Sequence, residues 1–284
     1  MNCNRLFLDS GAFSALTQNT AIDIDEYIEY IKNNERFITV YANLDVIGSA
    51  EETYRNQKKM EESGLSPLPV FHLQDNIKYL HTYMNAYNYI CVGGMAKGYS
   101  ASERYSFFNR IFQELCPERN DYFPLCKVHG FGMTDAYLLC EYPWYSVDST
   151  TPLMQSINGS ILVPKNSREG WFSIGITERG KKEVDSFYSL SPGERISIEK
   201  HIASMGHVLG TSVQKIVKGD YELNPEKENW VNKKEGIIEK IVEPGLCNST
   251  YHRFLYNSKV LIQVQESLPK WPWKYLPKTE KGFF

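Results

Sequence analysis

The sequence predicts an α/β fold: a TIM-like (β/α)8 barrel, or an incomplete and irregular form of one, with a C-terminal α-rich extension. Three observations carry that expectation. Short apolar runs alternate with stretches of helical periodicity over residues 6–148, the pattern of a parallel sheet with crossover helices. The Tyr89 to Val92 run is continuously apolar, as strands covered on both faces are. Each run also ends in a polar group or a glycine: Leu6-Phe7-Leu8 in Asp9, Phe37 to Leu44 in Asp45, Leu68 to Phe71 in His72, Tyr89 to Val92 in Gly93-Gly94, Leu125 to Val128 in His129, and Trp144 to Val147 in Asp148. In barrels of this kind the carboxyl ends of the strands share one face, and the active site forms there.

Taken in order, Ser10-Gly11-Ala12-Phe13 is a glycine turn directly behind the first strand. Ile22 to Glu26 opens a helix that ends at Asn33-Asn34, with its acids in the first turn, where the helix dipole favours them. Ser49-Ala50-Glu51-Glu52 is a capping-box start for a polar helix that stops at Ser63-Gly64. Further helices are expected over residues 75–86, 100–116 and 134–141, the second with Phe107, Phe108, Ile111 and Phe112 on its core side. Six strands leave a barrel two short, and Ser160 to Val163 and Trp171 to Ile176 are the candidates to supply them. Beyond these a helix is expected from Pro192 to Ser204, while Lys218 to Pro244 is polar and reads as a long surface excursion. Tyr251, Phe254, Leu255, Ser258, Leu261, Ile262 and Gln265 then fall at the spacing of an amphipathic helix. The expected division is a catalytic barrel core over 1–165, an insertion or irregular extension over 166–248, and a closing helix with a basic aromatic tail over 249–284.

A chain of 284 residues can bury a sizeable core, and its net charge of −3 does not announce a nucleic-acid binder. A local basic face matters more than the total. From Tyr251 onward six Lys or Arg stand against two Glu and are interleaved with aromatics, a composition suited to a nucleic-acid backbone and its bases. The other reading is that Trp271 and Trp273 only anchor a tail on the body. The six cysteines form no CxxC pair and read as reduced thiols. No signal region and no membrane-length apolar run is present, so a soluble, cytoplasmic protein is expected.

Two carboxylates at strand ends on one face are the minimum kit for breaking a glycosidic bond, one attacking the anomeric carbon and the other handling the leaving group's proton. Asp9 and Asp148 fit those places, and Asp45, acceptor-only when ionised, suits the N–H groups of a base. A lone Asp at a strand end is more often a cap or turn residue; three at equivalent ends are harder to explain that way. His72 and His129 with these acids could instead hold zinc or iron, giving a metal-dependent hydrolase. No strand, however, supplies the His-x-His pair common in such barrels. Gly93-Gly94 lets backbone groups approach a flat ligand, and Met95 offers it a soft apolar surface.

The order of these motifs resembles the tRNA-guanine transglycosylase superfamily. Asp9-Ser10-Gly11-Ala12-Phe13 is similar to its Asp-Ser-Gly-Gly-Phe motif, Asn43-Leu44-Asp45 falls at its purine-recognising Asp, and His72 or Gln74 at its base-reading glutamine. Val92-Gly93-Gly94-Met95 resembles its Gly-Gly-Leu turn, His129-Gly130-Phe131-Gly132 its Met-Gly-Val-Gly turn, and Val147-Asp148 its nucleophile strand. The resemblance covers about residues 5 to 155. It implies a base exchange in which Asp148 is the nucleophile and Asp9 the acid and base, with Ser10, Gly11, Phe13, Asp45, His72, Gln74, Gly93, Gly94, Met95 and His129 binding substrate. The family's Cys-x-Cys-x-x-Cys zinc site has no counterpart: no cysteine follows Asp148 until Cys247, with His252 close behind it. In this the chain resembles the phage DNA 7-deazaguanine transglycosylases. The implied partners are DNA, or alternatively tRNA, carrying the target guanine, and a free 7-deazaguanine base. No cofactor and no metal are expected. A non-enzymatic alternative is a degenerate barrel that only binds nucleic acid.

Overall fold

The computed structural model describes residues 6–94, 99–133, 135–165, 170–177 and 186–276. Contacts divide the chain into two units, Met1–Asp148 with Pro269–Phe284, and Ser149–Leu268.

In the first unit β1 (Leu6–Leu8), β2 (Ile38–Tyr41), β3 (Val70–His72), β4 (Tyr89–Gly93), β5 (Lys127–Gly130) and β6 (Ser146–Val147) alternate with α1 (Ala12–Thr17), α2 (Ile24–Asn34), α3 (Ala50–Glu62), α4 (Ile77–Ala86), α5 (Ala101–Leu115) and α6 (Ala136–Glu141). β1 pairs with β2, and β3 to β6 pair in sequence order, all parallel. A parallel bridge between Ala42 and Leu68 carries the ladder from β2 to β3. Strand order therefore follows chain order, and every carboxyl end lies along one edge.

The sheet is strongly curled. Phe7 of β1 stacks on His129 of β5 with ring centroids 4.3 Å apart. In a flat sheet, four steps of about 4.8 Å would hold those strands about 19 Å apart. Phe7, Leu68 and Phe131 pack with Ala42, Val70 and Cys91 inside the curl. Phe71, Ile90, Val92 and Val128 point the other way and meet Leu80, Phe108, Ile111, Phe112 and Leu115 beneath α4 and α5. Alternate residues thus serve two buried faces, which is why the runs read as continuously apolar. Asp23, Asn76, Ser100 and Asp135 cap α2, α4, α5 and α6 by accepting backbone N–H groups that have no partner within the helix. Ser49 caps α3 through the Glu52 N–H without the reciprocal bond of a capping box, which in this unit forms at Ser100 and Glu103.

The expected closure by eight strands is not found. β7 (Ser160–Pro164) and β8 (Trp171–Gly175) belong to the second unit and pair with each other antiparallel, so they cannot extend the parallel ladder. Among the described residues no ladder joins β6 to β1. What stands is an α/β unit built on a curled, parallel, six-stranded sheet.

The second unit adds α7 (Thr151–Ile157), α8 (Pro192–Ser204), β9 (Thr211–Ile216), β10 (Glu228–Asn232), β11 (Ile237–Glu243) and α9 (Thr250–Ser267). The stretch read as a surface excursion instead supplies β10 and β11, which form an antiparallel sheet with β9 in the order β10-β11-β9. Buried Asn257 of α9 accepts from the Leu162 N–H at 2.8 Å and donates to Ser156 Oγ at 3.0 Å, tying α9 to β7 and α7. Arg253, also buried, donates to the carbonyls of Ser156 and Leu246, both at 2.8 Å.

The tail after Leu268 is anchored on the first unit. Tyr275 is 2% exposed, its N–H donates to the Tyr122 carbonyl at 2.9 Å, and its hydroxyl donates to Asn109 Oδ1 at 2.7 Å. Trp271 meets the Tyr145 ring edge-on with centroids 5.1 Å apart, and Lys127 lies over that same ring. Tyr145 precedes β6 and Lys127 opens β5, so this contact sits at the amino ends of the strands, opposite the carboxylates. Among the described residues, no helix is long and apolar enough to cross a membrane.

Candidate active site

The carboxyl edge of the curled sheet gathers acids. Asp9 follows β1 and Asp148 follows β6, while Asp45 lies beyond β2 and its 42–68 bridge. Although the Asp9 side chain reaches solvent, the concave wall around it withholds much of its hydration. That desolvation comes first, and the charges of Asp45 and then Asp148 add to it, raising Asp9 above the usual carboxylate range. Backbone donation from Ser10 and Gly11 opposes the rise without cancelling it. Three carboxylates predicted at separate strand ends are therefore brought within electrostatic reach of one another.

Asp45 is held on both oxygens. Ser10 donates to Oδ1 at 2.7 Å, and His72 Nε2 lies 2.8 Å from Oδ2. Asp75, which follows β3, accepts from the His72 backbone N–H at 2.8 Å and stands 3.7 Å from the ring Nδ1. Burial alone would keep His72 neutral. The hydrogen bond to Asp45 and the nearby charges of Asp45 and Asp75 outweigh it and lift His72 to about 9, so the ring is an imidazolium at neutral pH. An ionised carboxylate has about four acceptor positions, so Asp45 keeps capacity for a ligand N–H after serving Ser10 and His72.

Asp148 is the open member, with its side chain 54% exposed. The Gly132 N–H donates to its Oδ1 at 2.9 Å, and buried His129 places Nε2 3.4 Å from the same oxygen. His129 Nδ1 lies 2.7 Å from Ser146 Oγ, which in turn is 2.5 Å from the Tyr89 hydroxyl. The His129 ring is clamped by its stack on Phe7 and by the edge of Phe131, at 4.8 Å between centroids.

The remaining predicted residues divide. Gly11 adopts a left-handed φ of 77° at the start of α1, and Phe13 on that helix is exposed. Gly93 pairs with His72 across the ladder and has the His72 and Phe131 rings beside its α-carbon. Gly94 ends the strand at φ 88° against the Leu73 backbone. Gln74 is exposed and donates to the Tyr99 hydroxyl rather than toward the carboxylates. Met95 lies outside the described residues. Asp75, Ser146 and Tyr89 join the site without having been expected there. Ser146 stands two positions before Asp148, hence on the same face of a strand, and that was the available signal.

Among the described residues no three His, Cys, Asp or Glu side chains are grouped to hold a metal ion. Cys247 and His252, the suspects for a degenerate zinc site, are engaged with the Gly210 carbonyl and with Ser249 Oγ respectively. Comparison of the chain with models of protein families, with curated proteins and with solved structures finds no match.

Proposed function

We propose that the chain is a base-exchange transglycosylase that replaces guanine in DNA with a 7-deazaguanine, and that its curled sheet is an incomplete (β/α)8 barrel. The observation that carries the reading is the pair of unlike carboxylates on one edge. Asp9 is pushed toward its protonated form, while Asp148 is open to solvent and oriented by a backbone donor. A carboxyl biased toward its protonated form suits the acid, and an exposed carboxyl group aimed by a backbone donor suits the nucleophile.

In the first half-reaction an Asp148 oxygen forms a bond to C1' of the sugar. The C1'–N9 bond breaks, its electron pair leaves with guanine, and guanine takes the Asp9 proton. In the second, Asp9 removes the N9 proton of the incoming deazaguanine, N9 bonds to C1', and the Asp148 carboxylate departs. The target nucleotide must leave its stack to reach the curl. Asp45, steadied by Ser10 and imidazolium His72, would accept from the purine N–H groups, and Gly93 and Gly94 would present backbone to its face. DNA is favoured over tRNA because the chain lacks the family's cysteine-rich zinc motif.

The test is to trap the covalent intermediate. The protein is incubated separately with guanine-containing DNA and with tRNA, denatured, and examined for an adduct. An adduct with DNA that Asp148→Ala abolishes is expected. An adduct with tRNA alone would move the reading to the tRNA enzymes. No adduct with either substrate would refute it.

A further inference from the structure

Building on the transglycosylase reading, we propose that His129 is a positioning residue for the nucleophile, and that Asp148 Oδ2 is the oxygen that attacks the sugar. The two groups directed at Asp148 converge on Oδ1: the Gly132 N–H at 2.9 Å and His129 Nε2 at 3.4 Å. Among the described residues no donor is found on Oδ2. A carboxylate held at one oxygen presents the other, and Oδ2 is free to reach C1'.

The chain behind His129 sets where its proton sits. A phenol is a better donor than acceptor, so the Tyr89 hydroxyl donates to Ser146 Oγ. Ser146 then has its own proton for His129 Nδ1, which places the imidazole proton on Nε2, facing Asp148. The opposite order would turn the Nε2 lone pair toward a carboxylate. The separation of 3.4 Å is longer than a good hydrogen bond, but catalytic hydrogen bonds often tighten only once substrate is bound. Rings of Phe7 and Phe131 prevent the imidazole from turning away.

The proton on Nε2 is not transferred in either half-reaction. Its effect falls on the return step, when the Oδ2–C1' bond breaks and its electron pair goes back to Asp148. The recovered charge meets two donors already in place, so the free carboxylate is favoured over the glycosyl ester. Without His129 the ester would persist.

Three variants test this. His129→Phe keeps the stack on Phe7 but removes the donor, and His129→Gln returns an N–H near the place of Nε2. Turnover in His129→Phe should fall about ten- to a hundredfold, the worth of a hydrogen bond to a charged group. The fraction of protein trapped as adduct should rise at the same time, and His129→Gln should recover most of the rate. Wild-type turnover in His129→Phe would overturn the inference, as would loss of rate and adduct together in both His129 variants, the outcome of a structural role. Nitrogen-15 shifts of the free protein supply a readout independent of substrate: the His129 proton should sit on Nε2 in the wild type and spread over both nitrogens in Ser146→Ala. A proton on Nδ1 in the wild type would refute the positioning. An adduct that survives Asp148→Ala, with the Nε2 proton as expected, would instead refute the transglycosylase reading and leave the geometry intact.

Discussion

Imidazolium His72, between Asp45 and Asp75, makes stability depend on pH in a definite direction. Its folded value of about 9 lies above the ordinary 6.5. The contribution is therefore complete below pH 6.5 and is lost as pH climbs through 9, with an upper bound of about 3 kcal/mol. Urea unfolding should show the midpoint falling across that window, and His72→Phe should remove the slope; equal midpoints at pH 6 and pH 9.5 would contradict the pairing. Asp9 should appear in catalysis. Since burial and then Asp45 raise it, the protonated acid persists to higher pH than an ordinary Asp, and the rate should decline on the alkaline side of that raised value. Asp9→Asn should lower turnover by about 10²- to 10⁴-fold, measured as base exchange, and leave nucleic-acid binding in place. At this scale the sequence was informative about which residue types end the strands. It was silent on pairing, because Asp45 with His72 and His129 with Ser146 join residues 27 and 17 positions apart, and no local spacing encodes such distances.

The strand ends themselves are unequal in what they tolerate. Gly94 and Gly132 both take left-handed φ values, 88° and 59°, but an added methyl group at Gly94 would stand 2.9 Å from the Leu73 nitrogen while at Gly132 it would meet open space. Gly132→Ala should cost about 1–2 kcal/mol for the backbone alone. Gly94→Ala should cost measurably more in thermal unfolding, and equal losses would show that the β4 end relaxes freely. The elements legible in the sequence were those with two signals agreeing, an apolar period and a cap, as in α2 and α5. β10 and β11 are hidden in the sequence because Glu228, Asn229, Glu239 and Lys240 interrupt the apolar run, although Ile238 and Glu239, on opposite faces of β11, are both buried. The pairing of β7 with β8 was equally hidden: an apolar run reports burial, and carries no mark of parallel or antiparallel neighbours.

For the molecule as a whole, the tail decides how the first unit is completed. Tyr275 fills a place among Phe112, Tyr142 and Trp144 that no residue before Asp148 occupies. Tyr275→Ala should destabilise that unit by about 3–5 kcal/mol in calorimetry, as removal of a large buried ring does. Tyr275→Phe, which removes the hydroxyl that donates to Asn109, should cost about 1 kcal/mol. The consequence reaches back to synthesis. A growing chain usually folds its amino-terminal part first, yet here the amino-terminal core waits for residue 275, with all of Ser149–Leu268 made in between. While the ribosome translates those residues, the six-stranded sheet is left with an unfilled aromatic slot, and the first unit completes its core only after the second has been made.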